Sequence, residues 1–490
     1  MIEAYGTEDV RAAEEATGEL LTDGTLMQRA AKGLAAVTRS RMDERGARRV
    51  VALVGSGNNG ADALWAISRL AKRGYDAAAV CRDPEVQAAQ AEAARKARKK
   101  GARILTGEDP DALDVIADAE VVLDGLVGLG GRSGLPDLAV SWVAAIPEDA
   151  YVIAVDSPSG QPVSGGDLAP GGVFADESVT FAAPKPVHLL PPTEAACGLL
   201  TVIDIGLDLS AGEPVAAALD DDDVAALWPV PDAADDKYSR GVLGVLAGGE
   251  GYTGAALLSV TAAVCAGAGM VRYVGTPTPE ALVRAAVPEA VHGAGRVQAW
   301  AIGPGLDVRS RAKGATAQLR QAREALDGDE PVLLDAGGLD LLTAPREAPT
   351  LLTPHAGECA RMLSRLGDEV TWEQVRADPV AHARALAEAS GATVLLKGGT
   401  TLVIDPEGGP VHVQSAAPAW LATAGAGDVL AGLAGTLLAA GLPPLLAGAL
   451  AAHVHGRAAE QANPGGPVRA LGVAEQIPRT VARLLAESRG

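Results

Sequence analysis

The chain of 490 residues carries 62 acidic against 41 basic side chains, a net charge of −21, and 48% of its residues are apolar. This composition excludes a wholly disordered chain, and the excess of acidic groups argues against nucleic acid as a partner, because phosphate neutralisation needs clustered cations. Apolar runs alternate with alanine-rich segments along most of the chain. That rhythm is typical of α/β proteins with a mainly parallel sheet and helices on both faces.

In the first half, RRVVALVGSG (48–57) predicts a buried strand that enters a glycine turn, and ADALWAISRLAKRG (61–74) predicts a helix. Further strands are expected at DAAAVC, ARIL, VVLD, YVIAVD, ESVTF and LLTVI. The stretch 207–237 is rich in Asp, Ala and Pro and predicts a junction, so we expect two domains, 1–212 and 213–490. Its acidic run Asp220–Asp223 favours a helix start over a metal site.

A second alternation of strands and helices begins at VLGVLAGGEGYTG and continues through MVRYVG, VQAWAIGPG, VLLDAGG, TLLTPHAGE and TVLLKGG. Three helices are expected to start near Gly425, Leu445 and Val473. The region 425–456 is apolar, but Asp428 and Pro443-Pro444 interrupt it, so a buried helix pair is expected there and no membrane span. The four cysteines form no CxxC pair, and the acidic N-terminus lacks a signal-peptide core; both features favour the cytoplasm.

The segment Gly55–Gly60 matches GxGxxG between a strand and a helix, as in a Rossmann dehydrogenase, but the motif alone is weak. Asn58 and Asn59 place two amides in it, which suit ion or amide recognition as well as phosphate. Two further strands end in polar loops, at Asp124 and at Asp156. Because the carboxyl ends of parallel strands share one crevice, these side chains are expected to converge with Asp62 and Ser159 on one site.

The motifs VGSGNNGAD, DGLVGLG, AVDSPSG and TFAAPKPVH resemble the epimerase domain of the NAD(P)H-hydrate repair system, over about residues 1–210. The resemblance implies a Rossmann-like αβα sandwich that interconverts the R and S forms of hydrated NADH or NADPH at C6 and uses a potassium ion. It implies Asn59, Asp124 and Ser159 as potassium ligands, and Asp156 is our candidate for the catalytic acid/base. Implied substrate-binding residues are Asn58, Asn59, Gly60, Ala61, Asp62, Asp156 and the loop Gly128, Leu129, Gly130, Gly131, Arg132, Ser133 and Gly134.

One departure from this family is the segment NNGADA, which stands where NNGGDG is usual. Ala61 therefore carries a Cβ at a customary glycine. If the position needed a positive φ, the strain would be about 1–2 kcal/mol.

In the second half, Gly425-Ala426-Gly427-Asp428 opens a helix, whose N-terminal N–H groups form an anion site beside a carboxylate that can act as a base. Lys397-Gly398-Gly399-Thr400-Thr401 follows a strand and is suited to a nucleotide phosphate. His355 and Glu358 follow another strand in TPHAGE, where the Glu could reach the hydration shell of Mg²⁺. There is no GxxxxGK[ST], which excludes a P-loop NTPase.

The GAGD segment resembles the ribokinase-like αβα fold, and AIGPGLD, LLTPHAGE, LLKGGTT and ATAGAGDVLAG are most similar to NAD(P)H-hydrate dehydratase, over about 219–490. The resemblance implies that Ala255, Gly305, His355 and Asp428 contact the hydrated cofactor. It implies nucleotide binding by Lys397, Gly398, Gly399, Thr400, Thr401 and Gly427. Three segments depart from the family, PAWLATAGAGD, DAGGL and GPGLD, and the first leaves the preference between ADP and ATP open.

The implied reaction is a phosphoryl transfer that turns the C6 hydroxyl into a leaving group, with Asp428 as base and Mg²⁺ and ADP (or ATP) as cofactors. Two alternatives remain at this stage. One is a small-molecule kinase of the vitamin type fused to a Rossmann-like domain, which would release a stable phosphorylated product. The other is a non-catalytic NAD(P)-sensing module. A homo-oligomer is also expected.

Overall fold

The computed structural model describes residues 1–83, 88–128 and 133–487, and the chain divides into two compact units. One unit contains Glu3–Ala216, and the other contains Met1–Ile2 and Ala217–Gly490. The strands Ile2–Tyr5 and Pro214–Ala218 each include a point where the chain passes from one unit to the other.

Seven strands of the described first unit form a wholly parallel sheet. Their order across the sheet is Arg103–Thr106, Asp76–Cys81, Arg49–Val54, Val121–Gly125, Tyr151–Val155, Glu177–Phe181 and Leu199–Ile203. The helices are Thr7–Ala16, Glu19–Thr22, Thr25–Arg45, Asn58–Ala71, Ala88–Lys99, Ala112–Ala117, Asp137–Ala144 and Pro186–Leu189, with a 3₁₀ turn at Thr193–Ala196.

Helices cover both faces of this sheet because its central strands carry apolar residues on both faces. Val50, Ala52 and Val54 pack in one buried cluster with the helix Asn58–Ala71. The alternate residues Val51 and Leu53 pack in a second cluster with Ala112–Ala117. Side chains of a strand point alternately to opposite faces, so a continuous apolar run requires cover on both sides.

The second unit is built on a larger, mainly parallel sheet. Nine of its described strands are, in order across the sheet, Val411–Gln414, Thr401–Ile404, Thr393–Leu396, Thr350–Leu352, Val332–Leu334, Ala299–Ile302, Val242–Leu246, Met270–Val274 and Val291–His292. Its helices are Asp221–Leu227, Thr253–Cys265, Pro277–Ala286, Lys313–Leu326, Ala356–Leu366, Trp372–Ala377, Pro379–Ser390, Ala426–Ala439, Pro444–Ala462 and Ala470–Glu487, with 3₁₀ turns at Ala336–Leu341 and Ala419–Leu421.

The α/β class predicted from the sequence is confirmed in both units. Five strands of the described chain were missed: Ile2–Tyr5, Pro214–Ala218, Val291–His292, Thr401–Ile404 and Val411–Gln414. The last two pair antiparallel beside Thr393–Leu396. The acidic run begins a helix as predicted, since the Oδ1 atom of Asp220 accepts the backbone N–H of Asp223 at 2.9 Å. The apolar helices Ala426–Ala439 and Pro444–Ala462 are buried in the second unit. None of the described helices combines the length and apolarity needed to cross a membrane.

Candidate functional site

In the first unit, a cavity of about 420 Å³ opens at the carboxyl ends of the strands. It lies where the strand order reverses, between Arg49–Val54 and Val121–Gly125, the place at which open parallel sheets bind ligands. Its lining comprises Val10, Arg11, Glu14, Ser56, Gly57, Asn58, Asn59, Asp62, Leu126, Val127, Gly128, Pro136, Asp156, Phe181 and Lys185.

Packing, rather than a bound dinucleotide, explains two of the glycines in the GxGxxG segment. A Cβ on Gly55 would lie 1.7 Å from the carbonyl oxygen of Leu126, and one on Gly60 would lie 2.5 Å from the carbonyl oxygen of Gly55. The buried Gln90 side chain donates from Nε2 to the carbonyls of Gly55 and Gly57, both at 2.9 Å. Contacts with Leu126 and Gln90 therefore fix the backbone conformation of the segment Gly55–Gly60.

The helix predicted over 61–74 begins three residues earlier, at Asn58, so both asparagines lie in its first turn rather than in the preceding loop. Asn58 is exposed, whereas Asn59 is buried and donates from Nδ2 to the carbonyl oxygen of Val155 at 2.6 Å. Ala61 is fully buried within the helix and does not have a positive φ. The strain considered for Ala61 is therefore absent.

The three side chains predicted to bind potassium come close together. A carboxylate oxygen of Asp124 accepts the backbone N–H of Ser159 at 2.7 Å, and the Ser159 Oγ accepts the N–H of Val127 at 2.9 Å. A Cβ on Gly128 would lie 2.8 Å from the Asn59 Oδ1, so Asn59 faces the same loop. Burial raises the pKa of Asp124 to about 6, although the N–H groups of Ser159 and Leu126 partly offset it.

Asp156 and Lys185 form a buried ion pair in the cavity, with the Lys185 Nζ 2.5 Å from the Asp156 Oδ1 and both side chains at most 4% exposed. The same ammonium donates to the Thr180 Oγ1 at 2.9 Å and to the Phe181 carbonyl at 3.1 Å. Burial opposes ionisation of Asp156, but Lys185 outweighs it, so the pKa of Asp156 is lowered. Asp156 is thus a carboxylate, held in the left-handed region at a φ of 68°.

His188 supports the backbone of this pair. Its Nδ1 accepts the N–H of Lys185 at 2.9 Å, which makes the Nε2 the donor to the Asp156 carbonyl at 2.8 Å. Burial and the Lys185 charge lower the pKa of His188 to about 4, so the ring is neutral. Sequence reasoning assigned no role to Lys185 or His188, although both lie in the motif TFAAPKPVH that carried the resemblance.

The predicted substrate loop is described only in part. Gly128 lines the cavity, and the Gly134 N–H donates to the Gly160 carbonyl at 2.8 Å. Ser133 is exposed. Leu129, Gly130, Gly131 and Arg132 lie outside the described residues.

In the second unit, Asp428 lies in the first turn of Ala426–Ala439, after Gly425 with a φ of 89°. Its carbonyl accepts a hydrogen bond from the Ser259 Oγ at 3.0 Å, which ties this turn to the helix Thr253–Cys265. Burial, together with the nearby Asp335 carboxylate, raises the pKa of Asp428 to about 7 against the opposing charge of Lys397. A group with that pKa is suited to accept a proton near neutral pH.

Lys397 joins the predicted nucleotide loop to this helix. Its Nζ lies 2.6 Å from the Asp335 Oδ1 and 3.8 Å from the Glu358 Oε2. A Cβ on Gly427 would lie 3.4 Å from the same Nζ. The Asp335 carboxylate also accepts from the Thr353 Oγ1 at 2.9 Å. Asp335 was missed in the sequence analysis; its signal was the segment LLDAGGL, where it directly follows the strand Val332–Leu334.

The remainder of the Lys397–Thr401 segment connects two antiparallel strands. Gly398 and Gly399 are exposed in the turn, Thr400 is buried, and Thr401 begins the strand Thr401–Ile404. The turn therefore presents backbone to solvent beside Lys397.

His355 and Glu358 cap the helix Ala356–Leu366. The His355 Nδ1 accepts the N–H of Gly357 at 3.0 Å, and the Glu358 Oε2 accepts the N–H of His355 at 2.8 Å. The His355 side chain is 56% exposed, whereas that of Glu358 is 9% exposed. His355 is accordingly available to a ligand, while Glu358 already serves the cap and lies near Lys397.

Ala255 and Gly305 are neighbours. Gly305 has a φ of +64°, and a Cβ there would lie 2.7 Å from that of Ala255. Ala255 lies one turn before Ser259, which bonds Asp428. The structure thus brings Ala255 and Gly305 close to the first turn of the helix Ala426–Ala439, which contains Asp428.

Two family models match the chain. One described as NAD(P)H-hydrate dehydratase matches residues 243–478, and one described as YjeF-related protein N-terminus matches residues 23–187. The bifunctional NAD(P)H-hydrate repair enzyme Nnr of Mycobacterium tuberculosis (strain H37Rv) is 45% identical over 90% of this chain and 89% of its own. The proteins of that name from Mycobacterium leprae and Corynebacterium glutamicum are 44% and 32% identical and cover 94% and 89% of this chain, and 94% and 87% of their own.

Among solved structures, the ADP/ATP-dependent NAD(P)H-hydrate dehydratase of Bacillus subtilis, co-crystallised with ATP and Mg²⁺, covers 54% of this chain and 97% of its own. Its sequence identity is 27% and its TM-score 0.48. Yeast ynu0 covers 38% of this chain and 82% of its own, with 18% identity and a TM-score of 0.35.

Proposed function

This chain belongs to the family of bifunctional NAD(P)H-hydrate repair enzymes, and from that premise we propose how its two units share the work. The unit Glu3–Ala216 interconverts the R and S forms of hydrated NADH or NADPH. The unit Ala217–Gly490 dehydrates the S form with ADP or ATP. The observation that carries the proposal is Asp428, a carboxyl with a pKa near 7 at the N-terminus of a buried helix, beside Lys397.

In the first unit, the hydrated nicotinamide would occupy the cavity at the strand ends, near Asn58, Asn59, Asp62 and Gly128. Asp156 faces this cavity as a carboxylate, because Lys185 stabilises its charge. We assign to Asp156 the removal of the proton from the C6 hydroxyl.

Potassium would be held by Asn59, Asp124 and Ser159. The Asp124 carboxyl is fully buried, and it accepts hydrogen bonds from the neutral N–H groups of Ser159 and Leu126. A buried carboxylate without a cation is costly, and amide, hydroxyl and carboxylate oxygens are hard ligands, so this set fits an alkali cation. The bound ion would supply a positive charge beside the substrate loop.

In the second unit, Asp428 would take the proton of the C6 hydroxyl while the hydroxyl oxygen attacks the terminal phosphorus of the nucleotide. The N–H groups of the helix that begins at Ala426 would stabilise the transferred phosphoryl group. Loss of phosphate from C6 and of a proton from C5 then restores the C=C bond. Lys397 to Thr401 and Gly427 would hold the nucleotide, and Ala255, Gly305 and His355 the hydrate.

Magnesium fits this unit only through the nucleotide. Among the described residues, no group of three or more His, Cys, Asp or Glu side chains is placed to hold a metal ion. Mg²⁺ commonly keeps its waters and binds through phosphates and one or two carboxylates. Glu358 would meet such a hydration shell, and the ion would neutralise phosphate charge.

The test is recovery of reduced cofactor from a mixed sample of hydrated NADH. The full chain with Mg²⁺ and ADP or ATP should restore the absorbance of NADH beyond the S fraction, faster than spontaneous interconversion. Asp428→Asn should lower the rate of dehydration by ~10²–10⁴ while R-to-S interconversion continues. A stable phosphorylated hydrate would instead indicate a kinase, and binding without turnover a sensor.

Location and assembly are also proposals. All four cysteines are free, and three of them, Cys81, Cys197 and Cys359, are buried, which supports a reducing compartment such as the cytoplasm. A homo-oligomer stays a prediction, to be measured by light scattering.

A further inference from the structure

The cavity of the first unit contains more carboxyl groups than cations to balance them. Glu14, Asp62 and Asp156 face it, and its two cations are the buried Lys185 and the exposed Arg11. The Lys185 ammonium is already engaged by three acceptors, with Asp156 the nearest at 2.5 Å. The charge of Lys185 is therefore committed to Asp156 rather than shared with Asp62.

Asp62 has the opposite surroundings. Its residue is 6% exposed, and its Oδ1 atom is buried without a hydrogen-bond partner in the described part of the chain. Burial, followed by the negative charges of Asp156 and Glu14, raises the pKa of Asp62 well above the ordinary range. The remaining titratable group of the Asp156 pair, His188, is neutral. Asp62 thus faces the cavity with no cation or hydrogen-bond donor of the described residues on its buried Oδ1, which favours the carboxylic acid, with an O–H group to donate, over the carboxylate.

We propose that Asp62 is a second catalytic residue of the epimerase site, the acid that protonates the ring nitrogen while Asp156 removes the proton of the C6 hydroxyl. The inference rests on the proposed epimerase function of this unit. Two carboxyl groups that share a cavity but differ in protonation form an acid and base pair, which a reversible proton transfer at neutral pH requires.

The proposed step opens the ring. Asp156 accepts the hydroxyl proton, the C6–O bond becomes a carbonyl, and the C6–N1 bond breaks with its electron pair moving to N1. N1 takes the proton of Asp62, which becomes a carboxylate. Rotation about the C5–C6 bond presents the other face of the carbonyl. The reverse step then closes the ring: N1 attacks C6, Asp62 recovers its proton, and Asp156 returns its proton to oxygen.

Ring opening is favoured over loss of the hydroxyl as water. Loss of water would leave a cation with a C=N bond between C6 and N1, and loss of a C5 proton from it would give the reduced cofactor at once. The second unit would then have no need of a nucleotide to activate the hydroxyl. Ring opening keeps the oxygen on C6 throughout and changes only its stereochemistry.

The experiment compares the full wild-type chain with Asp62→Asn, which keeps the shape of the side chain but has no acidic proton to transfer. Pure R hydrate is supplied, and its conversion to S is followed. We expect a fall of ~10²–10⁴ in kcat for conversion, with KM retained and the rate of dehydration of S hydrate unchanged. Asp62→Glu should recover part of kcat. Asp114→Asn, an exposed carboxyl on the helix Ala112–Ala117, is the matched control.

A second measurement does not depend on any variant. In ¹⁸O-enriched water, the wild-type chain should convert R to S with the original oxygen kept on C6. Incorporation of solvent oxygen at the rate of conversion would overturn the ring-opening step. Full conversion by Asp62→Asn would overturn the role of Asp62. If the wild-type chain itself does not accelerate conversion, the epimerase function of the unit fails instead.

Discussion

The acid limb of the dehydration rate should report the pKa of Asp428. Because the proposed base is active only as a carboxylate and its pKa is raised to about 7, its ionised fraction is about one-eleventh at pH 6 and ten-elevenths at pH 8. The value of kcat/KM for the S hydrate should therefore rise about tenfold over this range. An aspartate with an ordinary pKa would already be ionised at pH 6 and would give a flat profile.

The substitution Asp335→Asn should move this limb to lower pH. The Asp335 carboxylate raises the pKa of Asp428 directly, and it also neutralises Lys397, whose charge lowers that pKa. Both effects of the substitution have the same sign, so the midpoint should fall by on the order of one pH unit, or ~1.4 kcal/mol. The midpoint is independent of any loss in maximal rate caused by a less ordered Lys397.

The matched control is Asp340→Asn. Asp340 is an exposed carboxyl of the 3₁₀ turn Ala336–Leu341 that follows Asp335, and it pairs with Arg365 at 2.8 Å on the surface. Removing it takes away the same formal charge where solvent screens it, so the midpoint should stay in place. The assay follows NADH absorbance from pure S hydrate between pH 5.5 and 8.5. A flat pH profile of the wild-type chain would refute this account of the site. So would a midpoint that shifts to higher pH in Asp335→Asn.

Three further predictions concern stability and organisation. Lys185→Met should cost about 3–5 kcal/mol in the free energy of unfolding of the first unit, because it leaves Asp156 buried without its cation; denaturant titration measures this, and an unchanged midpoint would contradict it. Gly305→Ala should lose at least ~1–2 kcal/mol to its positive φ, whereas Gly251→Ala, where an added Cβ meets nothing within 4 Å, should melt like the parent. The fragments 1–212 and 213–490, expressed separately, should each fold and keep one activity. If either fragment is soluble only in the presence of the other, this expectation fails.

The sequence was sufficient for most of the parallel strands and for the family, because both depend on local patterns. Runs such as RRVVALVG and LLTPHAGE place a strand and the polar loop after it, and the family matches confirm the resemblance drawn from them. The hairpin of Thr401–Ile404 and Val411–Gln414 was missed, since two strands of four residues each are too short to show a distinct period. The helix Asn58–Ala71 begins three residues before the predicted start, because its first turn carries amides and a glycine rather than apolar residues at helical spacing.

What the tertiary structure decided is the protonation state of the candidate catalytic groups. Lys185 lies 29 residues after Asp156, and Lys397 lies 62 residues after Asp335, so no local pattern pairs them. Asp62 and Asp156 are both aspartates at strand or helix ends, and the sequence treats them alike. Only the fold gives one of them a buried ammonium and leaves the other among like charges. The free energy of a buried charge depends on its neighbours in space, and chain order does not specify them.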